Sequence, residues 1–216
     1  AQGLAAVTAF RKNVDSFITE VTESVFVQDQ AGGRFGPVRR PINGEGGKIE
    51  GFEVAGQYAF GWGGGFNINY TYSDSESPFF NDVDRGLPIP GVAKHAYNAQ
   101  VYYQNFGFEA RLSYTWRDKS FDSNFQFGDE VAPFSSSTDD DITRTFGVWN
   151  RDYGQLDAQL GYQITDNIGV TLEAINLTEE DQSQYLQYEN LPFAFESGSR
   201  RILLGIRGSF GEGAGR

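Results

Sequence analysis

The sequence predicts an all-β chain, an antiparallel up-and-down transmembrane β-barrel segment of about eight strands. Three observations carry this. Apolar side chains recur at every second position over stretches of roughly ten residues, the length a tilted strand needs to cross a bilayer. The connections between these stretches alternate between very short and very long. The composition, with 27 Gly, 7 Pro and 15% aromatic residues in 216, suits many short strands joined by turns better than helices. A mean hydropathy of −0.45 does not oppose a membrane barrel, since only alternate strand residues meet lipid. No apolar run approaches the roughly 18 residues of a spanning helix.

In chain order, the opening stretch from Leu4 to Lys12 lacks a clear polar face. Phe52, Val54, Tyr58 and Phe60 then alternate with Glu53 and Gln57, and Phe66, Ile68, Tyr70 and Tyr72 oppose Asn67, Asn69, Thr71 and Ser73. Tyr97, Ala99, Val101 and Tyr103 face away from Asn98, Gln100 and Gln104. Phe108, Ala110, Leu112, Tyr114 and Trp116 oppose Glu109, Arg111, Ser113, Thr115 and Arg117. Leu156, Ala158, Leu160, Tyr162 and Ile164 oppose Gln155, Asp157, Gln159 and Gln163, the cleanest case of all. Ile168, Val170, Leu172 and Ala174 follow, and Ile202, Leu204, Ile206 and Phe210 close the series. Three connections are short and rich in Gly or Asn, Gly61 to Gly65, Asn105 to Gly107 and Thr165 to Asn167, which permit positive φ. Four are long and polar, Asn13 to Gly47, Ser73 to Lys94, Asp118 to Arg151 and Thr178 to Arg200. Sorting of loops by side is expected of an outer-membrane barrel, with tight periplasmic turns and long external loops.

Magnitude decides which face meets lipid. In the inverted register Arg111 and Arg117 would each cost about 2–4 kcal/mol near the midplane, so the apolar face is the lipid face. Its aromatic residues gather at strand ends, where interfacial rings are favoured. A soluble β-sandwich whose apolar face is its core is the alternative. Eight strands closing on themselves leave room only for packed side chains, so a face rich in Gln, Asn, Arg and Glu suggests a wider barrel.

Lys and Arg number 17 against 29 Asp and Glu, a net of −12, which disfavours nucleic acid as a partner because phosphate binding needs clustered basic surface. The absence of cysteine removes disulfides, thiolate metal sites and Cys nucleophiles. Because there is no methionine and the chain starts at Ala1, a processed product or a piece of a longer protein is expected.

The C-terminal third adds specific likeness. Gln155 to Thr178 resembles the penultimate hairpin of TonB-dependent outer-membrane receptors, and Gly198-Ser199-Arg200-Arg201 running into Ile202 to Phe210 is similar to their closing strand, which ends on an aromatic residue. Val7 to Phe10 with Val14 to Ile18, Pro41 to Gly44 with Gly47 to Glu53, and Leu87 to His95 resemble earlier pieces of the same barrels, in the same order. The resemblance implies an energy-coupled transporter in the bacterial outer membrane, with a barrel of about 22 strands and a plugged lumen. Residues 1–210 are then expected to form the C-terminal part of the barrel, and 211–216 a short disordered tail. The partners implied are outer-membrane lipid, the TonB complex through a plug domain outside this segment, and a small-molecule or oligosaccharide substrate. A complete eight-stranded structural or adhesive barrel is the alternative.

Catalysis has little support, and no cofactor is expected. His95 is the single histidine, placed where a loop re-enters a strand. A triad with Ser73, Ser75 or Ser77 lacks any nucleophile-elbow glycine pattern, and one histidine suits haem ligation poorly. Asp139-Asp140-Asp141, with Asp152 or Asp129, has carboxylates of the kind Ca²⁺ takes but no EF-hand spacing, so a solvated acidic loop is expected and no metal site. Gly61 to Gly65 lacks the Lys-Ser/Thr of a phosphate loop, and the sequons at Asn69 and Asn176 sit on or beside strands. The long loops are the better candidates for ligand binding. Phe79, Phe80, Trp149, Tyr185 and Tyr188 offer rings for stacking, and Asp82, Arg85, Asn150 and Arg151 offer hydrogen bonds. The resemblance implies a scarce nutrient, a carbohydrate by preference, with a ferric siderophore or cobalamin as alternatives.

Overall fold

The structure is a computed structural model describing residues 2–27, 32–127 and 144–209. Fourteen strands and no helix occupy these residues: β1 Gln2–Val14, β2 Ile18–Val27, β3 Arg34–Asn43, β4 Gly47–Ala59, β5 Gly64–Glu76, β6 His95–Asn105, β7 Phe108–Arg117, β8 Ser120–Phe127, β9 Arg144–Asn150, β10 Tyr153–Thr165, β11 Ile168–Ile175, β12 Gln182–Leu186, β13 Pro192–Glu196 and β14 Arg201–Gly208. Eight of them form one antiparallel sheet in the order β1-β4-β5-β6-β7-β10-β11-β14. These are the eight strands expected from the two-residue periodicity. β1 and β14 are its two edges, and the sheet does not close on itself over the described residues.

Register turns the alternation of single strands into continuous surfaces, because paired residues share a face. Val7, Val54, Tyr70, Tyr97 and Trp116 are successive partners across β1, β4, β5, β6 and β7. That apolar row ends at Gly154, where a Cβ would meet the Tyr114 hydroxyl at 2.3 Å. On the opposite face Gln57, Asn67, Gln100, Ser113 and Asp157 are successive partners. Their side chains link laterally, with Asn67 Nδ2 donating to Gln100 Oε1 at 3.0 Å and Gln100 Nε2 to Ser113 Oγ at 3.0 Å. One face is thus made for hydrocarbon and the other for water or polar protein.

Burial separates this arrangement from a soluble sandwich. Among the described residues the buried apolar side chains are Leu87, Ile89, Phe121, Val148 and Tyr185, all in the long connections, whereas Val7 and Leu204 on the sheet are each 75% exposed. A sandwich would bury those strand residues against a second sheet. Two aromatic belts flank the exposed apolar band. At the end bearing the long connections, Phe52 stacks on Tyr72 at 5.5 Å and Tyr97 on Trp116 at 5.3 Å. At the other end Phe60 stacks on Trp62 at 5.3 Å and Trp62 on Tyr103 at 5.9 Å.

The three short connections lie together at that second end. In the β6–β7 turn Phe106 and Gly107 have φ of 52° and 76°, the two positive values a type I′ hairpin needs. The long connections are not plain loops, and here the structure departs from expectation. β2 and β3 pair as a two-stranded ribbon, and β13-β12-β9-β8 form a four-stranded sheet. The sequence of β2, Ile-Thr-Glu-Val-Thr-Glu-Ser-Val-Phe-Val, mixes polar and apolar residues on both faces. A register shift at Phe121/Ser123 breaks alternation in β8, and β12 and β13 have only five residues each. Phe210, Asp129, Asp139 to Asp141 and the 211–216 tail lie outside the described residues.

Candidate functional site

The external sheet, β13-β12-β9-β8, stands on the barrel wall through very short joints, residues 118–119 between β7 and β8 and residues 151–152 between β9 and β10. It is packed against the β5–β6 connection. Gly91 N donates to Phe121 O at 2.8 Å and Asp82 N to Thr145 O at 3.1 Å. Gln187 ties three segments at once, accepting at Oε1 from Asn81 Nδ2 at 3.1 Å and Gly147 N at 3.0 Å and donating from Nε2 to Asp84 Oδ2 at 2.5 Å.

The nine residues expected to bind ligand separate under this geometry. Trp149 and Tyr185 stack on each other at 6.5 Å, with Phe121 edge-on to Trp149 at 5.6 Å, and Tyr185 is only 4% exposed. Burial accordingly raises the Tyr185 phenol above its ordinary range. Phe79 packs on Phe17 at 5.4 Å. The Asp82 carboxylate accepts from Thr145 N at 2.5 Å, and Phe80 pairs with Arg85 in a β-bridge with the Phe80 ring exposed. Tyr188 lies exposed in the β12–β13 turn. Phe79, Phe80, Asp82 and Arg85 thus belong to the β5–β6 connection and Tyr185 and Tyr188 to the external sheet and its turn, while Trp149, half-buried, lines a second cavity of about 210 Å³ with Ser73, Pro88, Lys94 and Lys119.

Asn150 and Arg151 are brought together at a cavity of about 330 Å³ where the external sheet meets the barrel wall, lined also by Arg117, Asp152, Tyr153, Gln182, Ser183, Gln184, Ala194, Phe195 and Glu196. Arg117 and Tyr153 are register partners on the polar face of the wall, so the cavity opens on the luminal side. The Arg117 guanidinium lies over the Tyr153 ring at 5.7 Å, and the Tyr153 hydroxyl donates to Gln155 Oε1 at 2.7 Å. Gln184 Nε2 donates to Asn150 Oδ1 at 2.9 Å, and Asn150 Nδ2 to Asp122 Oδ1 at 3.3 Å. Arg151 is held by the Tyr185 ring at 5.1 Å and by the Glu189 carbonyl oxygen. Behind it Lys119 Nζ donates to Glu189 Oε1 at 2.8 Å, which lowers the Glu189 carboxyl and raises the Lys119 ammonium from their ordinary values. The arrangement presents amide donors and acceptors, a phenol and an exposed Phe195 ring to a small polar solute.

Arg117, Tyr153 and Gln184 are not among the binding residues expected from the sequence, where Arg117 serves only to identify the polar face. Their signal was present only as strand alternation, which puts Arg117 on the polar face at a strand end. Asn176 is another such residue, buried at φ 56° with Glu180 N donating to its Oδ1 at 2.9 Å and its own N donating to Asp157 Oδ1 at 2.9 Å. His95 lies on the apolar face as the register partner of Tyr72, its Nδ1 2.8 Å from the Tyr70 hydroxyl. Ser75 Oγ accepts from Ile89 N at 3.2 Å, and Ser77 Oγ donates to Leu87 O at 2.6 Å. Among the described residues no group of three or more His, Asp or Glu is placed to hold a metal ion.

Residues 1–177 match the family described as TonB dependent receptor-like, β-barrel. No curated protein sequence matches. Among solved structures the chain is similar to the siderophore receptor PiuA from Acinetobacter baumannii, at TM-score 0.52 and 20% identity, over 88% of this chain and 25% of that one. At that identity the likeness is one of fold, and the chain spans about a quarter of the receptor's length.

Proposed function

The chain belongs to the TonB-dependent receptor β-barrel family of the bacterial outer membrane, and from that premise we propose that it forms one wall and four external connections of an energy-coupled importer. The observation that supports a capturing role is the cavity at the joint between external sheet and wall, where Asn150 and Gln184 from outside meet Arg117 and Tyr153 of the luminal face. A solute held there is already positioned over the lumen. Energy would reach such a transporter through TonB and a plug domain, as the family membership implies.

For the substrate we propose a carbohydrate. Carboxamides that both donate and accept, beside the Tyr153 and Phe195 rings, suit hydroxyl-rich solutes. The competing reading is a ferric siderophore, the ligand class in the name of the PiuA receptor. The experiment is uptake of labelled oligosaccharides and ferric siderophores by cells carrying the full-length receptor with Arg117→Ala, Asn150→Ala or Gln184→Ala. Each lost hydrogen bond is worth about 0.5–1.5 kcal/mol, so uptake at limiting substrate should fall about 2–10-fold per variant. Unchanged uptake at equal receptor abundance defeats the capture assignment, and loss confined to ferric complexes replaces the carbohydrate.

A further inference from the structure

The chain's charge is divided very unevenly between its two ends. The four connections that leave the sheet at one end, residues 15–46, 77–94, 118–152 and 176–200, carry twenty Asp and Glu against nine Lys and Arg, a net of −11. All the rest of the chain carries nine against eight, a net of −1. Six of the twenty carboxylates, Asp29, Asp129, Glu130, Asp139, Asp140 and Asp141, lie outside the described residues, and the described parts of the connections remain acidic without them, fourteen against nine.

The cavity does not offset this field. Its two guanidinium groups, Arg117 and Arg151, face two carboxylates, Asp152 and Glu196, and Arg151 is already engaged by the Tyr185 ring and Glu189 O. Three more cations of the connections are matched to carboxylates, Arg40 to Glu23 at 2.6 Å, Lys119 to Glu189 at 2.8 Å and Arg200 to Glu179 at 3.3 Å. A surface of one sign changes the local concentration of charged solutes by about tenfold or more, over a range of about 8–10 Å at physiological salt. A polyanion would cross that field and then lose hydration in a cavity whose two guanidinium groups are matched in number by two carboxylates.

We infer that this wall selects uncharged or cationic solutes and rejects polyanionic ones of the same chemical class. The inference rests on the cavity's being the capture site, and it narrows the solute by charge.

The test uses the full-length receptor in two arms. In the first, Gln182→Cys on the cavity rim carries an uncharged fluorophore, quenched in turn by caesium and by iodide ions and normalised to free dye. The field predicts that caesium quenches several-fold better than iodide, and that the ratio approaches one at about 1 M salt, where screening shortens to about 3 Å. In the second arm, neutral and uronate oligosaccharides of equal length compete for uptake, as do uncharged tris-hydroxamate and polyanionic tris-catecholate ferric complexes. Within any pair transported, the uncharged member should lead by about tenfold at low salt, and the lead should shrink in the Asp152→Asn/Glu196→Gln variant. Iodide quenching equal to or better than caesium, or preference for a polyanion, overturns the inference. Either result is distinct from failure of the capture site itself, which would appear as unchanged uptake in the Arg117, Asn150 and Gln184 variants.

Discussion

Replacing Gln187 with Ala removes a side chain that joins the β5–β6 connection, β9 and the β12–β13 turn. Gln187 has φ 52°, and Ala is no better suited to that region, so the backbone contribution cancels to first order. What is lost is two accepted hydrogen bonds, from Asn81 Nδ2 and Gly147 N, and one donated to the Asp84 carboxylate. A neutral bond contributes about 0.5–1.5 kcal/mol and a charged one about 1.5–3 kcal/mol. Asp84 recovers part of its share from water, whereas Asn81 and the Gly147 amide are buried. The docking of the connection should therefore weaken by about 2–4 kcal/mol. At 1.4 kcal/mol per tenfold, this is a loss of amide protection of roughly 30- to 700-fold. Hydrogen exchange of the full-length receptor in nanodiscs, followed by mass spectrometry, would read it in peptides covering 79–91, 145–149 and 183–188. Strand β6 serves as the internal control. Unchanged exchange in those peptides, or equal loosening of β6, would refute the assignment of Gln187 as the joint.

Three further outcomes are expected. Leu112→Arg, on the exposed apolar row, should cost about 2–4 kcal/mol of barrel stability, while Ser113→Arg on the polar face should cost less than about 1 kcal/mol, as read from heat-modified mobility of the folded receptor. Asn176→Ala loses the bonds to Glu180 N and O, at 2.9 and 3.1 Å, and should raise proteolysis around residues 178–181 by an amount equivalent to about 2–3 kcal/mol. The carboxyl of Glu189 lies below its ordinary 4.5 because Lys119 donates to it. Its stabilising contribution is therefore complete above that ordinary value and lost as pH falls through the lowered one. Protease resistance of the β12–β13 turn in the parent should exceed that of Glu189→Gln at neutral pH, and the two should converge in acid.

Seven of the eight wall strands were legible because each separates two solvents along its length, whereas β1, over Leu4 to Lys12, has no clear polar face. Alternation in Gln155 to Ile164 is imposed by lipid on one side and the lumen on the other. The six external strands answer to no such constraint. β2 and β3 form a ribbon of their own that joins neither larger sheet, β8 carries a register shift, and β12 and β13 end before a period can be established. The site was legible in the same uneven way. Aromatic content drew attention to Trp149 and Tyr185: the Tyr185 ring is buried in the external sheet, and Trp149, stacked on it and half-buried, lines a different cavity beside the β5–β6 connection. Asn150, Arg151 and the nearby Tyr153 reach the cavity from one stretch of chain, but Arg117 and Gln184 meet them there only through pairings between strands distant in sequence. Alternation gives a residue's face; it does not give its neighbours from another sheet.

The strand order of the wall also constrains how the molecule is built. Apart from the inserted external strands, every wall strand pairs with its predecessor, so hairpins β4–β5, β6–β7 and β10–β11 form from neighbours on the chain and can enter the membrane one after another with little loop closure to complete. The external sheet has no such freedom. β9 pairs with β12 as Trp149 with Tyr185, and the β10–β11 hairpin lies between them on the chain. β9 runs into that hairpin through residues 151–152 and β12 leaves it through residues 176–181, so their pairing waits until the hairpin between them has been laid down. The cavity is consequently finished last, and a receptor stalled during insertion would present its outer segments unpaired before any solute could be held.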